Sequence, residues 1–380
     1  MKTVIFFAMV IVAGLWLLWR RRLEPSRTFG SIDAIVPAYN EEICIAATAI
    51  ELLKNRYIDR VIVVNDGSTD GTAQVLDRLA STHARLTVIH QANSGKGGAL
   101  MNGVANSKAD YVLLTDADTL IPPQRDDIGH LLAEMEKGAD AVGGIPASNL
   151  NGAGLLPHIR ATVKLPMIAL KRSFQQIVGG APFLISGACG LFRREVPLKI
   201  PFSDRTKVED LDLTWSLVAA GFKVRQCSRC VVYSQECNSL RSEWLRWRRW
   251  IIGYAVCMRL HRSLLLTRFG LFSVLPMFAV VVIGIILCSG LMLTVLTGEH
   301  PELLPIMLLF PWPWVAVVTT IGAISAMHYR RFSLVLLAPT AVFYVLLSYS
   351  IWLVHGFKGL ASGREPSERD KPLRYAHVVE

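Results

Sequence analysis

The sequence predicts an α/β protein: a doubly wound cytosolic domain with amphipathic helices at its membrane-facing base, and four transmembrane helices, one before it and three after. Three observations carry this reading. Residues 3–19, 269–297, 303–327 and 332–354 hold no Asp, Glu, Lys or Arg, and each run is close to the roughly 20 apolar residues a helix needs to cross the hydrocarbon. Between about 31 and 145, short apolar runs alternate with helix-patterned segments, the sign of a parallel sheet. Acidic and glycine-rich clusters stand at the ends of those apolar runs, where open α/β sheets bind ligands.

In chain order, residues 1–22 read as a retained anchor, because three arginines (Arg20, Arg21, Arg22) and no small-residue cleavage pattern follow the apolar run. The arginines place the N-terminus outside. Arg259, Arg262 and Arg268 before the second span, and Arg330 and Arg331 between the third and fourth, agree. Both termini are then expected outside, with residues 23–262 cytosolic, 263–355 forming three transmembrane helices, and 356–380 a polar tail. Within 23–262, strands are expected at 32–36, 61–64, 86–89 and 111–114, and helices at 41–54, 72–80 and 97–106. Residues 183–194 combine an apolar strand with a small-residue turn. Segments at about 156–178 and 241–262 read as helices lying in the interface, the first interrupted near Pro166.

The hydrophobic fraction is 52% with 18% charged residues, and 40 Lys and Arg against 30 Asp and Glu leave a net charge of +10. That charge sits beside the spans and in one aromatic segment, so anionic headgroups and a diphosphate are the expected partners, not nucleic acid. Cys227 and Cys230 form a lone CxxC with no fourth ligand at motif spacing, which points to ordinary buried thiols instead of zinc.

The strand ends supply the chemistry. Strand one runs into Pro37, Ala38, Tyr39, Asn40 and Glu41. Strand two ends at Asp66 before Gly67, where a carboxylate can bind a base or ribose or can serve as a plain turn residue. Gly95-Lys96-Gly97-Gly98 opens a helix, so free N–H groups and an ammonium suit an anion there, though such a turn is also common in loops. Asp116 and Asp118 stand two apart after an apolar strand. They offer hard oxygen ligands to Mg2+ or Mn2+, which binds one or two protein carboxylates together with substrate phosphate oxygens; a solvated acidic turn is the alternative.

VPAYNEE (36–42), VNDGSTDGT (64–72), GKGGALMN (95–102) and TDADT (115–119) resemble, in that order, the nucleotide-sugar half of family 2 glycosyltransferases. The resemblance implies a Rossmann-like GT-A domain in which the 36–42 motif, including Pro37, Tyr39 and Glu41, and Asp66 bind the uridine of a UDP-sugar. Lys96 would lie near the base or diphosphate, Asp116 near the ribose, and Asp118 on the metal.

Further along, Val208-Glu209-Asp210-Leu211-Asp212 enters a helical pattern. The acids suit the helix dipole or supply a general base for an acceptor hydroxyl. Arg246-Trp247-Arg248-Arg249-Trp250 suits a membrane interface, or a guanidinium clamp on a diphosphate with an indole against a sugar. SGACG, VEDLD and RWRRW resemble the acceptor turn, acid-pair and (Q/R)xxRW motifs of membrane-integrated family 2 synthases. That implies Asp210 as base, Arg249 as a phosphate contact, and Gly187, Cys189, Glu209 and Trp250 at the acceptor. Relatives of this kind make poly-N-acetylglucosamine, chitin oligosaccharides, hyaluronan or cellulose, or glycosylate ceramide and other lipids. The expectation is an inverting hexosyltransferase of a bacterial-type inner membrane, catalytic domain cytosolic, taking UDP-GlcNAc or UDP-glucose. β-linked glycan synthesis is slightly favoured over a single addition to ceramide, hopanoid or diacylglycerol.

Overall fold

The computed structural model describes residues 24–26, 30–298, 311–362 and 374–375. Four parallel strands form one half of its sheet: β1 (Ile32–Ala38), β2 (Arg60–Asp66), β3 (Leu86–Gln91) and β4 (Tyr111–Leu114). Helices α1 (Ile45–Lys54), α2 (Thr72–Thr82) and α3 (Gly95–Asn106) link them. These match the expected elements to within a few residues. β1 is nearly buried throughout, with Ile32, Ala34, Ile35 and Val36 at 0% exposure, as a strand covered on both faces requires.

The second half follows a different plan. After β5 (Thr119–Leu120) and α4 (Asp127–Glu136) come β6 (Ala141–Ser148), α5 (Leu155–Phe174), β7 (Gly190–Arg193), α6 (Glu195–Lys199), α7 (Glu209–Ala219) and β8 (Val224–Ser234). The sheet order is β3-β2-β1-β4-β7-β6-β8-β5, with β7 antiparallel to both β4 and β6 and β5 antiparallel to β8. The sheet is therefore mixed, doubly wound only from β1 to β4. The strand order reverses between β1 and β4, the switch point where such sheets bind ligands. Trp215, fully buried, fixes α7 under this half by donating from Nε1 to the Phe183 carbonyl at 2.9 Å.

Beyond β8 the described residues are mainly helical: α8 (Leu240–Leu260), α9 (Leu275–Thr297), α10 (Pro311–Tyr329), α11 (Ser333–Leu336) and α12 (Ala338–Ser362). α10 packs on α5 and α12 along α8. The expected interruption near Pro166 is absent, since α5 runs through it. Pro166 cannot donate to the Thr162 carbonyl four residues back, but that carbonyl accepts from Ser325 Oγ of α10 at 3.0 Å. A neighbouring helix thus supplies the missing partner.

Of the four expected spans, one matches a helix with the length and hydropathy to cross a membrane, Ala338–Gly356. Two match shorter apolar helices, Gly270–Gly284 and Val315–Tyr329, and the expected span at residues 3–19 lies outside the described residues. Arg374 and Tyr375 sit among the ends of β1, β6 and β8.

Candidate active site

The turns after β1 and β2 are stitched together before any ligand is considered. Asn40, in the left-handed region at φ 53°, accepts from Thr69 N at 2.7 Å and donates its own N–H to Ser68 Oγ. Glu41 N donates to Thr72 Oγ1 at 2.8 Å. Gly67 has φ +70°, and a Cβ there would stand 2.8 Å from Asn93 N; conformation and space both demand glycine. Beside it the buried Asp66 accepts from Ser94 N at 2.7 Å and from Gln91 Nε2 at 2.8 Å. It therefore ties the end of β2 to the start of α3, whatever else it binds. Pro37 lies in β1 opposite Val64, and Tyr39 is half-buried in the turn that follows.

Across the switch point, α3 and β4 meet α7. Lys96 Nζ lies 2.5 Å from Asp116 Oδ1 and 3.4 Å from Glu209 Oε1. Burial alone would lower the Lys96 ammonium, but Asp116, Glu209 and Asp210 outweigh it and hold it above the ordinary lysine range. Asp210 Oδ2 accepts from Gly187 N at 3.1 Å. Burial and the adjacent Glu209 raise the Asp210 carboxyl above its usual range, opposed by Lys96 and by the Gly187 N–H. A Cβ on Gly187 would come 2.6 Å from Lys96 Nζ, so the glycine is what lets the ammonium pass. Four expected site residues from three distant segments (Lys96, Asp116, Glu209 and Asp210) thus form one charged cluster with Gly187.

α8 reaches this cluster through Gly253, where a Cβ would stand 2.5 Å from Val208 Cγ2, next to Glu209. Arg249 is partly buried, and its Nε is enclosed with no hydrogen-bond partner. Trp250 has the guanidinium groups of Arg246 and Arg160 against its ring, at 5.2 and 5.6 Å from the centroid. Arg246 pairs with Glu236 at 2.8 Å and with Glu243. Arg160 pairs with Glu243 at 2.7 Å, and Lys164 with Glu236 at 2.5 Å. This ion network beneath the site joins residues remote in sequence, and the sequence reading missed it. Cys189 is not where the acceptor reading put it. It is fully buried, with Sγ 3.8 Å from Cys230 Sγ, and packs in the core beneath β6. Cys227 and Cys230 are likewise buried free thiols.

The residue with least warning is Arg374. It forms a two-pronged pair with Glu41, Nε to Oε2 at 2.9 Å and Nη2 to Oε1 at 2.8 Å, and its Nη1 donates to Asp118 Oδ2. The buried Asp118 has its carboxyl raised by burial, with Arg374 opposing that shift.

Comparison with known proteins gives this geometry a family. Residues 33–197 match the family described as Glycosyl transferase family 2. Over 383 aligned positions the chain is 57% identical to the uncharacterized glycosyltransferase YaiP of Escherichia coli (strain K12), covering 100% of this chain and 95% of that one. The chain belongs to glycosyl transferase family 2. The transferase is also 27% identical over 227 residues to the poly-beta-1,6-N-acetyl-D-glucosamine synthase of Staphylococcus aureus (strain COL), 58% of this chain and 54% of that one. Among solved structures, the mannosyltransferase PcManGT from Pyrobaculum calidifontis, in complex with GDP-Man and Mn2+, overlays with a TM-score of 0.52 at 19% identity. The overlay spans 92% of this chain and 96% of that one, and marks the fold as GT-A-like. The donor class of this transferase is accordingly a nucleotide-sugar.

Proposed function

We propose that the transferase is an inverting, membrane-integrated hexosyltransferase that uses a UDP-sugar. The observation that carries this reading is the cluster of Lys96, Asp116, Glu209 and Asp210 around Gly187. Asp210 is the general base: as the acceptor oxygen attacks the anomeric carbon and the bond to the diphosphate breaks, its carboxylate takes the hydroxyl proton. A carboxyl raised toward working pH suits that task. Tyr39, Glu41 and Asp66 hold the uridine, Asp116 the ribose, and Lys96 and the enclosed Nε of Arg249 the phosphates. Glu209 and Trp250 stand at the acceptor.

A divalent ion fits beside Asp118. Among the described residues no three His, Cys, Asp or Glu side chains are grouped for a metal. Magnesium or manganese, however, needs one or two protein carboxylates besides phosphate oxygens, and Asp118 and Glu41 already converge on one cation, the Arg374 guanidinium. Asp118 would hold the ion, which when bound would offset charge on the leaving diphosphate.

For the acceptor, likeness to the staphylococcal synthase favours a growing β-linked glycan. A single addition to a lipid is the second reading, favoured by Ala338–Gly356, which contains no Asp, Glu, Lys or Arg to line a glycan path. Two measurements test these assignments on purified protein in lipid. Asp210→Asn should reduce transfer by at least about a hundredfold while UDP binding persists; retained turnover removes Asp210 from the role. Labelled UDP-sugars should yield a high-mass ladder, whereas a chloroform-soluble product selects the lipid reading.

A further inference from the structure

Arg374 and Tyr375 are seated in the donor site, and their contacts are those of a built site. Arg374 spans Glu41 and Asp118, with its side chain 18% exposed. Tyr375 is hydrogen-bonded to Gln235, Asn149 and Glu236. Its N–H donates to Gln235 Oε1 at 3.2 Å and its carbonyl accepts from Gln235 Nε2. Its hydroxyl donates to the Asn149 carbonyl at 3.0 Å and accepts from Glu236 N at 3.3 Å. These partners stand just past the C-terminal ends of β6 and β8, so the Arg-Tyr pair lies across the same sheet edge that carries Asp118.

A guanidinium forked onto one carboxylate and bonded to a second supplies positive charge where two buried acids need it. A divalent ion on Asp118 would share that carboxylate with the guanidinium held there and would repel it. The two cations exclude each other. We propose that Arg374 and Tyr375 form an internal plug that occupies the cation position of the donor site, so that binding of the metal–nucleotide and release of the tail are a single exchange. The inference rests on the reading of Asp118 as the metal-holding residue and adds a competitor to it. Glu41, assigned to the uridine, is masked by the same plug, so metal and nucleotide both act to expel it.

Two measurements on the full chain in detergent or nanodiscs test the exchange. The first is Mn2+ affinity, read from the electron paramagnetic resonance signal of free Mn2+. If the plugged state holds about nine-tenths of the molecules, apparent affinity is reduced about tenfold, and Arg374→Ala should bind Mn2+ about tenfold more tightly than the wild type. Unchanged or weaker affinity in R374A, with binding lost in Asp118→Asn, overturns the plug alone. Equal Mn2+ binding by wild type and D118N overturns the metal assignment, and the plug with it. The second is hydrogen exchange of the peptide containing Tyr375 in wild-type protein. Its amide should be protected in EDTA, exchange somewhat faster with UDP and EDTA, and exchange fastest with Mn2+ plus UDP. Protection that survives Mn2+ plus UDP overturns the proposal, because a strap with a purely structural role would stay docked.

Discussion

At the scale of single residues, the active cluster depends on an absence, the missing Cβ of Gly187. Its φ lies outside the left-handed region, so backbone conformation is no reason for glycine there. The reason is the Lys96 ammonium, which a Cβ would meet at 2.6 Å. The flexible end of a lysine can retreat, so Gly187→Ala should change stability by less than about 1 kcal/mol, within the range of ordinary tolerated substitutions. It should nevertheless lower kcat/KM about tenfold or more by moving a charge out of the site. Thermal melting and steady-state kinetics together check this, and unchanged kinetics would show that Lys96 has room to spare. Lys96 also pulls the Asp210 carboxyl down against burial and Glu209. The base works when ionised, so activity falls as pH drops through its pKa. Removing the ammonium in Lys96→Met lets that pKa rise further, and the acidic limb of the kcat profile, measured with saturating donor, should move to higher pH. A limb that stays or moves down would disconnect the two groups. Pattern alone could propose Lys96, Asp116 and Asp210, since each follows an apolar run or opens a helix. It could not propose that Cys189 turns into the core, because Gly187, two residues before it in SGACG, faces the cluster.

At the scale of elements, α7 carries the proposed base and is clamped to the end of α8 by Asp212. Its carboxylate accepts from His261 Nε2 at 2.7 Å, from Arg205 Nε at 3.0 Å and Nη2 at 2.9 Å, and from Ser203 Oγ at 2.6 Å. Burial alone would raise the Asp212 carboxyl, but these donors outweigh it and bring it down to about 2. A carboxyl depressed in the folded state stabilises fully above its ordinary pKa of about 3.9, and the stabilisation is lost as pH falls toward 2. Asp212→Asn should therefore destabilise by about 3 kcal/mol at neutral pH, as removing one member of a buried ion pair does. The difference from wild type should shrink as the pH falls below about 4. Denaturation at several pH values measures both; a penalty independent of pH would mean packing, not charge, holds the clamp. The elements themselves were unevenly legible. β1 to β4 announce themselves as Val- and Ile-rich runs ending at turn residues, the pattern of buried parallel strands. β6 (AVGGIPAS) holds two glycines and a proline, and β5 is two residues long, so neither has the propensity or length to be read from sequence. Their pairing is set by tertiary contact, and so is the unbroken course of α5, whose stray carbonyl finds Ser325.

At the scale of the whole molecule, the ion network and the tail decide how the catalytic domain and the C-terminal helices fit together. Glu243 of α8 pairs with Arg160 of α5 and accepts from Tyr344 of α12 at 2.5 Å. One buried carboxylate therefore binds three helices, and α12 cannot shift without unpairing it. Lysine and arginine flanks predicted the sidedness of the early segments, but the mixed charges beyond residue 355 left the tail undetermined. Arg374 settles its position relative to Asp118 through direct contact. If the apolar helices cross a membrane as proposed, Asp118 and the tail must therefore lie on one side, with an odd number of crossings between Arg268 and Arg374 excluded. Surface labelling of sealed vesicles tests this. An epitope appended after Glu380 and a cysteine introduced at the exposed Ser81 of α2 should become accessible from the same face. Cys44, Cys189, Cys227, Cys230, Cys237 and Cys257 are buried and should label slowly, and Cys288 is replaced by serine so that it gives no background. Opposite accessibility would mean that the docked tail is not the state of the protein in the bilayer. The exchange at Asp118 would then lose its competitor, because the guanidinium could not reach the site without crossing the membrane.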